Sequence, residues 1–253
     1  MVTQESIINE ATNIAFDAMR NFLNNMSLKR EEYDYLYKIN ISCEDIYTPL
    51  EDCMYIKSEN KIIIGKKYIN KLIELLKKGQ ISEKIIILDV AANIVHEMIH
   101  ASRTVVELNS KEAKLISEYY ELPDGLTEDE IDNQRYMQGN FEEIITDSLS
   151  DIIIKSRYEK EFDLKEMADY IEERSKDEGI RIGAKILGKV GENKIREFME
   201  EVYQQEPSNP FKEYFKENYD DLLYYVSEIY VAMYCQEKID KEILKEAKKI
   251  IVK

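Results

Sequence analysis

Ile85-Ile86-Ile87-Leu88-Asp89-Val90-Ala91-Ala92-Asn93-Ile94-Val95-His96-Glu97-Met98-Ile99-His100 is the most apolar stretch of the chain, and it ends on both of its histidines. Ser82 precedes it as a candidate cap, so a helix is expected from there to about Val106. Apolar residues cover most of the circumference, which marks a buried helix. The exceptions, Asp89, Asn93, His96, Glu97, His100 and Arg103, step by three and four along one stripe. Positions four apart share a face, so His96 and His100 present two imidazoles to one point with Glu97 beside them. This is the H-E-x-x-H pattern, in which two imidazoles hold zinc and the carboxylate activates a metal-coordinated water. The bland alternative is a hydrogen-bonded core histidine pair. It would leave Glu97 as a buried acid with no role.

The whole chain sets bounds on this reading. Its 253 residues suffice for a sizeable core, and 44% hydrophobic with 34% charged residues is ordinary for a globular protein. A net charge of -16 excludes the basic footprint that nucleic acid requires and disfavours anionic lipid. A peptide or protein substrate suits such a surface better. Cys43, Cys53 and Cys235 have no metal-type spacing and read as free thiols. Met1–Glu10 lacks the basic start and apolar run of a signal peptide, and no uninterrupted apolar run reaches membrane-spanning length. The expectation is a soluble, cytoplasmic chain, with export by another route left open.

Taken in order, residues 4–26 predict an amphipathic helix. Lys38-Ile39-Asn40-Ile41-Ser42 alternates at period two. Residues 54–57 and 61–64 flank Ser58-Glu59-Asn60 as a hairpin. Lys61–Gly65 is either a sheet edge that pairs with a substrate backbone or an ordinary core strand. Helices are expected over 66–78, stopped by Gly79, and over 110–120 and 140–158. Everything beyond Lys160 reads as helical: 163–176, 180–188, 192–205, 210–217, 219–237 and from Lys241. The fold class is therefore α+β and mostly helical, with a small N-terminal sheet. Residues 1–160 form the expected core and 161–253 a helical C-terminal subdomain packed on it.

A catalytic zinc usually takes three protein ligands and a water. With both histidines used, the third ligand should be Asp or Glu. Continuation as H-E-x-x-H-x-x-G-x-x-H fails, because Arg103 and Val106 stand at those positions, and Glu107 is one residue out of register. In the helix at 140–158, Phe141, Ile144, Ile145, Leu149, Ile152 and Ile153 form an apolar face. Glu143, Asp147 and Asp151 form a carboxylate line on another. Like charges at that spacing repel unless a cation compensates, and the competing reading is a solvated acidic face. Glu143 is the candidate ligand. Asp147, one turn on, would accept the free N–H of a metal-bound histidine. Glu142 competes as ligand but has Thr146, not an acid, four residues on.

These residues resemble a gluzincin, a zinc peptidase whose third ligand is a Glu on a second helix. Glu143-Ile144-Ile145-Thr146-Asp147 is similar to the E-x-x-S/T-D element of thermolysin-type enzymes, although the separation from His100 is longer here. The match is closer to the anthrax lethal factor-like group, which includes the Pro-Pro endopeptidases. In that group a Tyr seven residues before the ligand Glu stabilises the oxyanion. Tyr136 stands seven before Glu143, and Asn140 occupies a position where that group tolerates Asn. The resemblance spans roughly residues 85–155. It implies a zincin-like core and a zinc metalloendopeptidase. One Zn2+ would be held by His96, His100 and Glu143, with Glu97 as general base and Tyr136 as oxyanion donor. Tyr224, Tyr225 and Tyr230 are the reserves for that last role. A different class of reading makes the chain a regulatory or toxin-type protein acting through partner binding by its tyrosine-rich C-terminal half.

Overall fold

The computed structural model describes residues 3–28, 33–46, 52–104, 128–157, 162–200 and 209–252. The expected helix at 110–120, the end of the 192–205 helix and the candidate Glu107 lie outside them. Within the described residues the chain is mostly helical with one three-stranded sheet near the N-terminus, in keeping with an α+β class. Contact clustering divides it into two units. One comprises 1–105 with 153–162, and the other 106–152 with 163–253.

In the first unit, helix α1 (Gln4–Asn25) starts at Thr3, whose side chain accepts from the Ser6 amide in a capping box. Its apolar line, Ile7, Ala11, Ala15, Ala18 and Phe22, is fully buried, and the helix packs on α3. A 3-10 turn (Asp34–Lys38) leads into β1 (Asn40–Glu44). Strands β2 (Cys53–Ile56) and β3 (Lys61–Gly65) form the expected antiparallel hairpin. A 3-10 turn at Lys57–Glu59 connects them, and Asn60 takes the left-handed conformation at φ 45°. Asn tolerates that region better than most residues.

The sheet decides between the two readings of Lys61–Gly65 in favour of the core strand. Its order is β1-β3-β2, with β1 parallel to β3, so β3 is the central strand and not an edge. Ile62, Ile63 and Ile64 are all buried, as a central strand covered on both faces requires. Helix α2 (Lys66–Lys77) follows directly and ends before Gly79, whose φ of 69° suits glycine.

Helix α3 (Glu83–Thr104) carries the motif. Ser82 begins it, accepting the Ile85 and Ile86 amides on its carbonyl and the Ile85 amide on its hydroxyl at 3.4 Å. Among the described residues it is the one helix long and apolar enough to cross a bilayer, and 56% of that stretch is buried inside the protein. A core helix meets the same measure. The three cysteines are free, as expected.

In the second unit, helix α4 (Glu128–Ser156) begins twelve residues before the expected start. Its last residues, from Ile153, belong to the first unit. Helix α5 (Leu164–Arg174), capped by Asp163, packs against α6 (Glu178–Glu200). The two helices expected at 180–188 and 192–205 run together as α6, broken only at Gly191, whose φ is 79°. Helices α7 (Pro210–Phe215), α8 (Tyr219–Tyr234) and α9 (Lys241–Val252) complete the unit.

Gly183 of α6 lets that helix approach α4 closely. A Cβ there would stand 2.6 Å from the Ile144 carbonyl oxygen and 2.1 Å from the Ser148 hydroxyl. Ser148 itself donates to the carbonyls of Ile144 and Ile180. The contact fixes α4 one turn from Glu143. Gly183→Ala is expected to cost about 1–3 kcal/mol through overpacking and to lower the thermal midpoint by several degrees. Gly139, also in α4, has nothing within 4 Å of its would-be Cβ. Gly139→Ala should therefore raise stability by roughly 0.5–1 kcal/mol. Thermal or urea unfolding of the two variants checks the opposite signs.

Candidate metal centre

On α3 the predicted polar stripe exists, and it runs through a helix whose other faces are core. Val90, Ala91, Ile94, Val95, Met98 and Ile99 are fully buried, while His96 and His100 are half-buried. The Nε2 atoms of His96 and His100 face each other at 2.9 Å, with ring centroids 4.7 Å apart. Ligand nitrogens about 2.0–2.1 Å from a tetrahedral zinc stand roughly 3.3 Å apart, so the pair is nearly at chelating separation. Glu97 is 9% exposed. The strand beside this segment is β2, which packs on α3. Burial, and then the charge of Glu97, push the Cys53 thiol well up, so it is held as an unreactive neutral group.

The upstream part of the stripe has a separate function. The Tyr68 hydroxyl of α2 donates to Asp89 Oδ2 at 2.5 Å and accepts from Asn93 Nδ2 at 2.8 Å. Burial and then Asp89 raise the Tyr68 phenol far above the usual tyrosine range, so it remains a donor. Sequence reasoning grouped Asp89 and Asn93 with the histidines and missed Tyr68. The available signal was the apolar face of α2, where Tyr68 and Ile69 are the two buried residues.

On α4 the carboxylate line is also present. Tyr136, Asn140, Glu143 and Asp147 follow at intervals of four, three and four, so they share one face. Glu143, Asp147 and Asp151 are half-buried. The competitor Glu142 instead accepts from Gln138 Nε2 at 3.0 Å, on another side of the helix. Tyr136 is 57% exposed, at the open end of the line. Asn140 is buried and donates to the Ser227 hydroxyl of α8 at 2.8 Å. Tyr230, one turn past Ser227, is half-buried. Its phenol is pushed above the tyrosine range first by burial, then by Glu143 and Asp147, with Tyr234 and Tyr136 adding less.

One ligand atom from each of His96, His100 and Glu143 lies within 4.8 Å of the other two, so these three residues could hold a metal ion. Two imidazole nitrogens and a carboxylate oxygen are a donor set that divalent first-row metals accept. Compared with family models, with curated proteins and with solved structures, the chain finds no match in any of the three.

The link from Tyr68 to Asp89 and Asn93 predicts that Tyr68→Phe, which keeps the ring, lowers stability by roughly 1–2 kcal/mol. Urea unfolding measures it. A change near zero would mean that the hydroxyl does not tie α2 to α3.

Proposed function

We propose that the chain is a zinc-dependent metallopeptidase of the gluzincin type. The observation that carries this reading is the coincidence of His96, His100 and Glu143 as a possible metal-holding set with Glu97 buried between the two histidines on the same helix. A purely structural zinc site has no need of an acid at that position. His96, His100 and Glu143 are the proposed zinc ligands. When bound, zinc lowers the pKa of a coordinated water towards ~7 and polarises a carbonyl oxygen.

Glu97 takes a proton from the attacking water and returns it to the leaving amine, as one carboxylate can do for both proton transfers. Tyr136 donates a hydrogen bond to the substrate carbonyl oxygen as it gains charge, a contact of the type worth about 3 kcal/mol. Its exposure, at 57%, suits a group that must reach an arriving substrate. Asp147, one turn beyond Glu143 on the same face, accepts from a ligand histidine and holds its ring in place. Peptides or proteins are the proposed substrates, as an acidic chain of net charge -16 would attract neutral or basic segments.

Two sets of variants check the roles. Glu97→Gln should retain about one zinc per chain and lose hydrolysis of a peptide library, whereas Glu143→Ala should lose the zinc. Tyr136→Phe should lower kcat roughly a hundredfold at unchanged metal content. A near-wild-type rate would move the oxyanion contact elsewhere. Turnover that survives chelation would refute the metallopeptidase reading as a whole.

A further inference from the structure

Along one short stretch the charge of this acidic chain is inverted. Residues 57–84 contain eight lysines against three glutamates, in a chain of net charge -16. Helix α2 lies in that stretch, and its apolar and charged residues occupy opposite sides. Tyr68 and Ile69 are buried, and Leu72, Ile73, Leu75 and Leu76 are half-buried beside them. Lys66, Lys67, Lys71, Lys77 and Lys78 are exposed on the other side, with Asn70 and Glu74 between them. Several lysines elsewhere are matched to carboxylates, such as Lys185 to Glu172 at 2.7 Å and Lys194 to Glu197 at 2.5 Å. On α2, Lys66 reaches Asp45 at 3.5 Å and Lys78 reaches Glu74 only at 4.0 Å. Among the described residues Lys67, Lys71 and Lys77 make no ion pair. An open cavity of about 510 Å³ lies on this face, lined by Lys66, Lys67, Asn70, Lys71, Glu74 and Asp45.

We propose that the exposed face of α2 is a docking surface for an extended, acidic polypeptide segment of a partner protein. Charge complementarity selects the occupant, because the lysines attract what the rest of the chain repels. They run from residue 66 to 78, about 18 Å of helix at 1.5 Å per residue, so one small anion cannot meet them all. A nucleic acid would extend its phosphates over the acidic remainder of the surface, and this face offers no aromatic ring to a base. An anionic membrane calls for apolar side chains beside the lysines, and α2 turns its apolar side inward. Asn70 and Glu74 supply acceptors among the lysines. A peptide backbone has amides to donate to them, whereas a phosphate has none. The surface is independent of the metal centre and of the function proposed for it.

Fluorescence anisotropy of a labelled octaglutamate peptide, titrated with the full chain, tests the proposal. Binding should be saturable at low salt and weaken at least about tenfold at an ionic strength near 0.2 M, as screening requires. The paired change Lys67→Glu and Lys71→Glu should weaken it about tenfold or more. Both side chains are exposed, so the thermal midpoint should not move. Lys241→Glu with Lys245→Glu, the same charge change at exposed positions on α9, should leave affinity within about twofold. No binding by the wild-type chain would overturn the proposal, as would an equal loss in both pairs of variants. Tighter binding of an eight-phosphate oligothymidylate, or of phosphatidylserine vesicles, would overturn it in favour of another anion. Self-association of the wild type that vanishes with Lys67→Glu and Lys71→Glu would assign the face to a second copy, and overturn it too.

Discussion

The structure depends on the cost of placing two imidazoles and a carboxylic acid on a helix that is otherwise core. Each polar group withdrawn from water loses hydration that some partner must replace, and an ionised acid loses the most. On α4 the problem has the opposite form, because Glu143, Asp147 and Asp151 repel one another along one face. One divalent cation would relieve both. It would take up the imidazole lone pairs and compensate the carboxylate charge.

The framework around these helices consists of ordinary devices placed where they control the polar faces. Tyr68 fixes the upstream end of the α3 stripe by bridging Asp89 and Asn93. Gly183 and Ser148 let α6 press against the back of α4, on the side away from Glu143. The Asn140–Ser227 bond holds α8 against the front. Buried hydrogen bonds of this kind specify one arrangement, since breaking them leaves an unsatisfied group. In this account the sheet provides a wall for α3 through β2, and β3 is its interior strand.

The sequence disclosed what depends on local periodicity and concealed what depends on pairing at a distance. The α3 stripe, the α4 carboxylate line, the β2–β3 hairpin and the stop at Gly79 each follow from spacing or turn chemistry. The parallel pairing of β1 with β3 does not, because no turn connects those strands. The unbroken run Ile62-Ile63-Ile64 was the clue that β3 is covered on both faces. The early start of α4 was hidden because residues 128–139 are mostly polar and Gly139 reads as a breaker. The helix expected to end at residue 188 continues, because Gly188 sits within α6 with only the Ala168 Cβ, at 3.0 Å, near its would-be side chain. Tyr230 was one of 18 tyrosines, and only tertiary packing distinguishes it.

X-ray absorption at the zinc edge of the zinc-loaded full chain tests the central claim most directly, since it reads the donor atoms themselves. The account predicts imidazole scattering from two histidines and a nitrogen and oxygen shell at about 2.0–2.1 Å, with no sulfur. A sulfur shell near ~2.3 Å, or a zinc surrounded by oxygen alone, would contradict it.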